Sequence, residues 1–328
     1  MHAHGGPDAF GVPRWDFSTN ANACGPCPVA LAAVQAADAR RYPDPVYTDL
    51  RSALAAFHHV AVERIVFAAS ASEFITRLSA AVALAGGRRV WLPALAYGDY
   101  GRAARAWHLQ AVATPETADL LWLCEPASPM GGAEAWAREV AGQGGVVVLD
   151  RAYEPLRLSG ACSLGADALD RVWQLWSPNK ALGMTGVRGA YAIAPLQGQP
   201  LAQTLAVMAP SWPLGAHAVA MLTAWVQADV RQWLADSREQ LAVWKRAQIA
   251  LLENAGWRCL PSDANYFCAR APQNVDEVLD VARLRAKGIK LRETTSLGLP
   301  QHWRLSVQPP DAQAALSAAL TTQQENSP

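Results

Sequence analysis

The chain has 328 residues, 51% of them hydrophobic, and carries no formal net charge at pH 7. Its length passes the roughly 250–300 residues at which one hydrophobic core usually divides, which predicts one large domain and a smaller one. No run of lysines or arginines is available to neutralise a phosphate backbone, so the sequence argues against nucleic acid as a partner.

The sequence contains no clear targeting or metal-binding signal. The first 17 residues lack a basic stretch followed by an apolar one, and no apolar run reaches the roughly 18 residues of a membrane span. The six cysteines are too sparse for a disulfide framework, and no histidine–cysteine set has zinc spacing. We expect a reduced, cytoplasmic protein with no metal and no membrane partner.

Short apolar runs alternate with helical patterns between about residues 64 and 195. The runs are continuous rather than alternating, as in strands that are covered on both faces. The runs occupy residues 88–94, 120–126, 144–150, 171–177 and 188–195, and the helical patterns occupy residues 72–86, 100–107 and 133–143. This order predicts an α/β fold with a mostly parallel, doubly wound sheet.

The pattern changes after residue 213. A long helical stretch over residues 216–257 precedes apolar runs at 265–271 and 302–307, with a helix predicted near 275–288. We therefore predict an N-terminal arm, a large domain and a small α+β domain that the arm joins. Their predicted bounds are 1–40, 41–230 and 231–328.

Polar side chains follow the predicted strands at the points where ligands bind to such sheets, beyond the carboxyl ends. Asp150 and Tyr153 follow one run, Ser177 and Lys180 follow the next, and Arg188 comes eight residues after Lys180. A lysine near an aspartate, with serine and arginine close by, suits pyridoxal 5′-phosphate (PLP).

Each of these side chains matches one part of PLP. Lys180 would hold the cofactor as a Schiff base, and Asp150 would hold the proton on the pyridine nitrogen. Tyr153 would donate to the 3′-oxygen of the ring. Ser177 and Arg188 would bind the phosphate, where arginine gives a charge-assisted fork.

Two further elements belong to this predicted site. The helix that begins near Ala71 and Ser72 would offer free backbone N–H groups to the phosphate, and Tyr97 would stack on the ring. Taken singly, such an aspartate is more often a helix cap, such a lysine more often surface, and such a tyrosine more often packing. The ordered set, with each member at a strand end, favours the cofactor site. His58 and His59 lie in a helical stretch and are expected at the surface.

Longer segments resemble fold-type I PLP-dependent enzymes. SPNKALGMTGVRGAY resembles their S-x-x-K-x(5)-G-x-R-x-G segment, DRAY resembles D-E-A-Y, and EPASPMG resembles N-P-x-N-P-T-G. HGGPDAFGVPRWDFSTNANACGPCP resembles the opening of L-threonine-O-3-phosphate decarboxylases, whose close sister group is the histidinol-phosphate aminotransferases. RRYPDPVYTDLRSALAAFHHV, AYGDYGRAA and ANYFCAR continue the likeness over nearly the whole chain.

The resemblance implies roles for further residues. Tyr42 matches a tyrosine that reaches the phosphate of the neighbouring subunit's cofactor, which implies a homodimer with shared sites. Arg304 matches the arginine that binds the substrate carboxylate, and Arg292 matches a second arginine near the substrate. Asn22 and the segment His4-Gly5-Gly6 match the part of the arm that covers the substrate.

Three positions depart from the family pattern. Ser128 replaces the asparagine that contacts the ring 3′-oxygen, Ser70 replaces the glycine of the phosphate loop, and Arg151 replaces the acidic residue after Asp150. A serine is shorter than an asparagine, so Ser128 would reach the ring through a water or after a shift.

The resemblance implies PLP-dependent decarboxylation of L-threonine O-3-phosphate to aminopropanol phosphate, a step of cobalamin biosynthesis, with an amino-acid phosphate as the small-molecule substrate. The alternative is a class I/II aminotransferase similar to the histidinol-phosphate enzymes. Which bond at the substrate Cα stands perpendicular to the ring decides between the two reactions. A non-catalytic protein with this fold is a third alternative.

Residues 24–27 read CGPC, the redox motif of thioredoxin-like proteins. In those sites the motif follows a strand and opens a helix whose N-terminus lowers the thiol pKa. Here the preceding DFSTNANA is polar and turn-like. We expect Gly25 and Pro26 to be turn residues of the arm, and Cys24 and Cys27 to have no redox role.

Overall fold

The structure is a computed structural model that describes residues 5–272 and 281–324. His4 and the first part of the helix predicted near 275–288 lie outside these ranges. The helices are α1 (Pro28–Gln35), α2 (Thr48–His58), α3 (Ala71–Leu84), α4 (Gly98–Ala106), α5 (Ala137–Ala141), α6 (Ala166–Leu169), α7 (Gln199–Met208), α8 (Ala216–Trp225), α9 (Ala228–Asn254), α10 (Val281–Ala286) and α11 (Pro310–Gln324). The strands are β1 (Trp15–Asp16), β2 (Ile65–Ala68), β3 (Arg89–Trp91), β4 (Gln110–Val112), β5 (Leu120–Cys124), β6 (Val146–Asp150), β7 (Trp173–Trp176), β8 (Ala190–Ile193), β9 (Arg258–Cys259), β10 (Tyr266–Arg270), β11 (Ile289–Lys290), β12 (Arg292–Glu293) and β13 (Trp303–Ser306).

Within the described ranges a seven-stranded sheet forms the centre of the fold, in the order β2-β8-β7-β6-β5-β3-β4. The strand β8 pairs antiparallel with both of its neighbours, and the other neighbours pair in parallel. This is the mostly parallel sheet that the sequence predicts. Because β8 runs in the opposite direction, residues just before it lie at the same edge as residues just after β5, β6 and β7.

The central strands are apolar on both faces. In β2, Ile65 and Phe67 pack with α1, α2 and α8, whereas Val66 and Ala68 pack with α3, α4 and α7 on the other face. Trp122, in the middle of β5, has no exposed surface. Two covered faces require apolar residues at successive positions, which explains the continuous runs in the sequence.

The structure differs from the sequence prediction in several elements, among them two edge strands and one long helix. The edge strands β2 and β4 were not predicted, because β2 has only four residues and β4 has only three, two of which are exposed. The single helical stretch predicted over residues 216–257 is the two helices α8 and α9. They separate because Gln227 has an extended backbone, with ψ at 146°.

A four-stranded antiparallel sheet lies in the C-terminal part of the chain, in the order β12-β13-β10-β9. Phe17 of the arm packs into the core between this sheet and α11. The arm also contributes β1, which pairs with β11, and Asp8 forms ion pairs with Arg285 and Lys290. The helix α1 also belongs to the predicted arm, but it packs on α8 in a different hydrophobic core. The helix α9 contributes Val230 to the core of α1 and α8, and Leu252 to the core of the C-terminal sheet. The predicted domain bounds remain a prediction.

The CGPC segment joins the arm to the loop that follows Lys180. A Cβ added at Gly25 would stand 2.8 Å from the Cα of Gly183, so the close approach of the two loops requires glycine at position 25. The backbone N–H of Cys27 donates to the carbonyl oxygen of Leu182 over 2.9 Å. Cys27 is fully buried and stands directly before α1.

His58 is less exposed than the sequence predicts. It is half-buried, its Nε2 lies 2.7 Å from the hydroxyl of Tyr191, and its ring centroid lies 4.8 Å from that of Trp176. Burial lowers the pKa of His58 to about 3, and the nearby charge of Arg151 acts in the same direction. The helical pattern marks the exposed side of α2 only approximately, and His58 faces the central sheet. His59 is exposed, as predicted.

None of the described helices is long and apolar enough to cross a membrane. Over residues 5–272 and 281–324, no three His, Cys, Asp or Glu side chains come close enough to hold a metal ion. All six cysteines are free thiols.

Candidate active site

A cavity of about 200 Å³ lies where the parallel strands end. Nine residues singled out from the sequence line it, namely Ala71, Ser72, Tyr97, Ser128, Asp150, Tyr153, Ser177, Lys180 and Arg188. They come from separate segments of the chain, and the parallel strands bring them to one edge. A larger cavity of about 520 Å³ near Phe67 and Trp212 contains none of the nine.

The N-terminus of α3 forms one wall of the cavity. Ser70 caps this helix, because its Oγ accepts from the backbone N–H of Glu73 over 3.1 Å, while the Glu73 carboxylate accepts from Ala69 N over 3.2 Å. Ser70 has φ at −169°, which any residue adopts, so serine replaces glycine here without strain. Within the described structure the N–H groups of Ala71 and Ser72 have no protein partner, which leaves them available to an anion.

One end of the cavity is lined by Arg188, Ser177 and Lys180, which come from opposite ends of the loop between β7 and β8. Arg188 precedes β8, whose antiparallel direction brings it beside the residues that follow β7. The ammonium of Lys180 donates to Ser177 Oγ over 3.4 Å. The Arg188 side chain makes no ion pair with any described residue, and it lines the cavity. A free guanidinium, a hydroxyl and a helix N-terminus at one end of a cavity can hold a phosphate.

Asp150 ends β6 and is buried, and both of its carboxylate oxygens accept hydrogen bonds. Oδ1 accepts from the backbone N–H of Ala152 over 2.9 Å, and Oδ2 accepts from the hydroxyl of Tyr100 over 2.8 Å. Burial raises the pKa of Asp150, whereas the Tyr100 hydroxyl, the Lys180 charge and the Ala152 N–H oppose that rise. A carboxylate held in this way can accept a further proton donor, such as a protonated ring nitrogen.

Aromatic rings line the rest of the cavity. Tyr97 stands directly before α4, and its hydroxyl lies 3.5 Å from Ser72 Oγ. Burial raises the pKa of the Tyr97 phenol, so the phenol stays protonated. The ammonium of Lys180 lies 5.4 Å from the ring centroid of Tyr153, which packs edge-on against Tyr266. A flat aromatic ligand would find stacking surfaces here.

Ser128 links the cavity to a buried arginine. Its Oγ accepts from Arg304 Nη1 over 3.2 Å, and Arg304 Nη2 donates to the carbonyl oxygen of Ser18 over 3.2 Å. Among the described residues Arg304 Nε has no partner, although it is buried. Ser128 therefore holds the arginine in place, and its predicted contact with a ring oxygen stays a prediction.

Arg292 and Arg304 are direct cross-strand neighbours in β12 and β13. Arg292 donates to the carbonyl oxygen of Glu293 over 2.9 Å and to Ser296 Oγ over 2.7 Å. Burial lowers the pKa of Arg292, and the charge of Arg304 lowers it further. Two buried like charges on neighbouring strands are unfavourable unless an anion binds between them, so this pair is a candidate anion site.

Four residues predicted for the site do not line the cavity: Arg292 and Arg304, described above, and Asn22 and Tyr42. The Asn22 side chain donates to the carbonyl oxygen of Ala181 and accepts from the N–H of Cys24, each over 3.0 Å. It thus fixes the arm to the loop after Lys180. Tyr42 is 76% exposed and stacks on Trp212 with ring centroids 4.2 Å apart. The substrate role of Asn22 and the partner contact of Tyr42 stay predictions.

The structure also places residues at the site to which the sequence assigned no role. Tyr100 follows the same predicted strand as Tyr97, and its hydroxyl reaches Asp150. Thr19 lines the cavity with a buried hydroxyl that has no described partner, and neither polar atom of the Asn20 side chain has one. The polar segment DFSTNAN pointed to this region, but it has no periodicity that selects Thr19 and Asn20 over Asn22.

The thiols of the CGPC segment are in an unsuitable environment for redox chemistry. Burial raises the pKa of Cys24, whereas a reactive thiol needs a lowered one. Its Sγ lies 3.9 Å from the carbonyl oxygen of Ser237, and Cys27 is buried against α1.

The comparisons with known proteins agree with this geometry. The sequence profile described as "Aminotransferase class I and II" matches residues 14–319. The chain belongs to the class I and II aminotransferase family. Histidinol-phosphate aminotransferase 2 of Rhizobium meliloti (strain 1021) is 29% identical over 327 residues, which cover 93% of this chain and 91% of the relative. Histidinol-phosphate aminotransferase 2 of Burkholderia mallei (strain ATCC 23344) is 27% identical over 93% of this chain and 90% of the relative.

Solved structures of this class I and II aminotransferase family share the fold. Histidinol-phosphate aminotransferase from Sinorhizobium meliloti, in complex with pyridoxal-5′-phosphate, superposes with a TM-score of 0.78 at 22% identity and covers 92% of this chain and 88% of its own. L-threonine-O-3-phosphate decarboxylase from Porphyromonas gingivalis superposes with a TM-score of 0.73 at 19% identity, over 90% of this chain and 93% of its own. The fold-type I expectation is confirmed, and the aminotransferase alternative is better supported than the decarboxylase expectation.

The chain is therefore a PLP-dependent enzyme, and its cavity fits the cofactor. The unpartnered N–H groups at the start of α3 and the unpaired Arg188 suit a phosphate. Asp150 suits the ring nitrogen, and Lys180 is the lysine among the cavity-lining residues. The donor set matches the chemical groups of PLP, since each polar part of the cofactor finds a complementary side chain.

Proposed function

We propose that this enzyme transfers the amino group of a small phosphorylated amine, of the histidinol-phosphate type, to a 2-oxo acid acceptor. The names of the similar curated proteins support the reaction type. The neighbouring buried arginines of β12 and β13 support an anionic substrate. This arginine pair is the observation that carries the proposal, because neither arginine forms an ion pair with a described carboxylate, and Glu293 acts on Arg292 only at a longer distance.

The roles proposed for the cofactor-binding residues follow from their positions. Lys180 holds the cofactor and moves a proton at the substrate Cα. Asp150 keeps the ring nitrogen protonated, and Tyr153 donates to the ring oxygen. Ser177 and Arg188, together with the N–H groups of Ala71 and Ser72, bind the phosphate, while Tyr97 stacks on the ring. When bound, PLP supplies a sink for the electrons released at Cα.

The arginine pair orients the substrate in this proposal. Arg304 is held by Ser128 and by the carbonyl oxygen of Ser18, so its guanidinium has a fixed position beside the cavity. Its Nε and the hydroxyl of Thr19 are buried and have no described partner. An anionic group between Arg304 and Arg292 would receive charge-assisted hydrogen bonds from both.

We further propose that the enzyme acts as a homodimer in which Tyr42 reaches the partner's cofactor phosphate. Tyr42 is 76% exposed and stacked on Trp212, so a large aromatic side chain is displayed at the surface. Such a side chain suits an interface between two copies.

Decarboxylation of O-phospho-L-threonine is the second candidate function. The contact between Arg304 and the arm favours it, because the carbonyl oxygen of Ser18 belongs to the DFSTNAN segment that resembles the decarboxylases. If Arg304 held the substrate carboxylate as the leaving group, the electrons of its bond to Cα would pass to the bound cofactor, carbon dioxide would leave, and no 2-oxo acid acceptor would be needed.

The arginine pair can be tested with matched substrates. We would measure kcat/KM for histidinol phosphate, histidinol, O-phospho-L-threonine and L-threonine, with and without a 2-oxo acid. The proposal predicts acceptor-dependent turnover that favours the phosphorylated amine, and a loss of that preference in Arg292→Gln and Arg304→Gln. Equal rates with and without the phosphate would contradict it, and acceptor-independent turnover of O-phospho-L-threonine would establish the second candidate.

A further inference from the structure

The hydroxyl of Tyr100 points at the one carboxylate that faces the cofactor cavity from β6. It donates to Asp150 Oδ2 over 2.8 Å, and both residues are buried. Burial raises the pKa of the Tyr100 phenol well above its ordinary value, and the Asp150 carboxylate raises it further. The phenol therefore stays protonated and acts as the hydrogen-bond donor.

The ring of Tyr100 is fixed by its neighbours. It stacks on Trp122 with centroids 4.6 Å apart and 9° between the planes, and Tyr97 packs edge-on against it at 5.6 Å. Tyr100 is in the first turn of α4, three residues after Tyr97, the residue expected to stack on the cofactor. A hydroxyl held by a stacked ring and a helix loses little freedom when it forms its hydrogen bond.

The remaining contacts of Asp150 leave one direction free. Oδ1 accepts from Ala152 N, and Oδ2 accepts from Tyr100. A carboxylate oxygen has two acceptor sites, so Oδ2 can accept a second donor from the cavity side. The two protein donors thus set the direction in which the carboxylate meets a ring nitrogen.

We propose that Tyr100 is a positioning residue that keeps Asp150 ionised and aimed at the ring nitrogen of the cofactor. The inference rests on the proposed role of Asp150. Tyr100 lines the cofactor cavity, but its hydroxyl is directed at Asp150, and in this proposal it acts through the carboxylate. Removal of its hydroxyl would leave the buried Asp150 with one protein donor fewer, which favours the neutral acid and weakens its hold on the protonated ring.

The test uses holoenzyme loaded with PLP that carries ¹⁵N in the ring. In Tyr100→Phe we expect the ring-nitrogen NMR signal to move toward the unprotonated form and kcat/KM to fall roughly 10- to 100-fold, the effect of one hydrogen bond to a charged group. The control is Tyr191→Phe, because Tyr191 has an equally buried hydroxyl that bonds to His58 and Trp225, and none of the three lines the cavity. The control should leave the ring-nitrogen signal unchanged.

A double-mutant cycle with Asp150→Asn distinguishes a positioning role of Tyr100 from a general effect of Tyr100→Phe on the stability of the fold. If Tyr100 acts through Asp150, Tyr100→Phe should change the Asp150→Asn enzyme by no more than about twofold. A full additive loss, or an activity loss with an unmoved ring-nitrogen signal, would overturn the proposal. If Tyr100→Phe does not fold, 4-aminophenylalanine at position 100 replaces it. Its weaker N–H donor should move the signal toward the unprotonated form, and an unmoved signal would again overturn the proposal.

Failure of the proposed function looks different in the same experiment. In that case the wild-type holoenzyme itself would lack the signal of a protonated ring nitrogen, whatever residue stands at position 100. A normal wild-type signal that Tyr100→Phe leaves unchanged would overturn the role of Tyr100 alone.

Discussion

The two ends of the site are assembled in different ways. The cofactor end (Ala71, Ser72, Tyr97, Asp150, Tyr153, Ser177, Lys180 and Arg188) is built from residues at the strand ends of one sheet and the start of one helix. The substrate end (Ser18, Ser128, Arg292 and Arg304) is built from the arm, a turn after β5 and two strands of the C-terminal sheet. The proposed cofactor end therefore depends on the central sheet and the start of α3. The proposed substrate end depends on how the arm, the turn after β5 and the C-terminal sheet pack together.

This difference has a consequence for specificity. The residues of the proposed cofactor end are held by the central sheet, which is buried on both faces. At the proposed substrate end, Arg304 of the C-terminal sheet makes one hydrogen bond of 3.2 Å to Ser18 of the arm and one of 3.2 Å to Ser128 after β5. Changes at the substrate end can thus alter the preferred substrate or reaction while the cofactor stays bound.

The largest expected effect is at the cofactor end. Lys180→Ala should lower kcat roughly 10⁴-fold, because the variant loses both the covalent attachment and the proton-transferring amine. The absorption band of the lysine-bound cofactor should vanish. In wild-type enzyme, borohydride reduction and peptide mapping should place the cofactor on Lys180. A label on Lys245, whose pKa burial lowers to about 8, would contradict the assignment.

Arg304→Ala should act on the substrate end alone. We expect KM for the phosphorylated substrate to rise roughly 30-fold or more, since loss of one buried charged partner costs about 2–5 kcal/mol, while the cofactor band stays intact. The matched control is Arg258→Ala, an exposed arginine of the same sheet, which should leave KM unchanged. Loss of the cofactor absorption band in Arg304→Ala would show that Arg304 also supports cofactor binding, which would contradict the division of the site into two ends.

Tyr42→Ala tests whether the cofactor end is completed by a second subunit. The variant should bind PLP roughly tenfold more weakly, the loss of one hydrogen bond to a charged phosphate. Lys180→Ala and Tyr42→Ala would be mixed and refolded, and assayed at a PLP concentration too low to load Tyr42→Ala alone. About a quarter of wild-type activity should then appear, because half of the dimers are mixed and each mixed dimer has one complete site. Absence of recovery in verified mixed dimers would contradict a shared site.

The smallest expected effect is on stability at the start of α3. Ser70→Ala removes the cap on Glu73 N and should lower the free energy of unfolding of the cofactor-free protein by about 1 kcal/mol. Ser70→Gly should cost only a few tenths of a kcal/mol, because water can reach the freed N–H. Urea denaturation measures both, and equal losses in the two variants would show that Ser70 does not act as the cap.

The sequence predicts which residues meet at the cavity, because most of them follow strands, and parallel strands end at one edge. Arg188 reaches that edge even though β8 is antiparallel, since the reversed strand returns the chain to it. The roles of these residues toward the cofactor stay predictions. The contact between Tyr100 and Asp150 was not predictable, because it depends on the rotation of α4 over β6. The contacts of Arg304 with Ser18 and Ser128 join residues more than 170 positions apart, and no local pattern specifies them.

Transfer of a labelled amino group tests the central claim most directly. The holoenzyme would be incubated with histidinol phosphate labelled with ¹⁵N on its amine and a 2-oxo acid, and the product amino acid would be analysed by mass spectrometry. The account predicts that the label appears in the amino acid and that no carbon dioxide is released from O-phospho-L-threonine. Unlabelled acceptor, together with carbon dioxide release and aminopropanol phosphate from O-phospho-L-threonine, would contradict it.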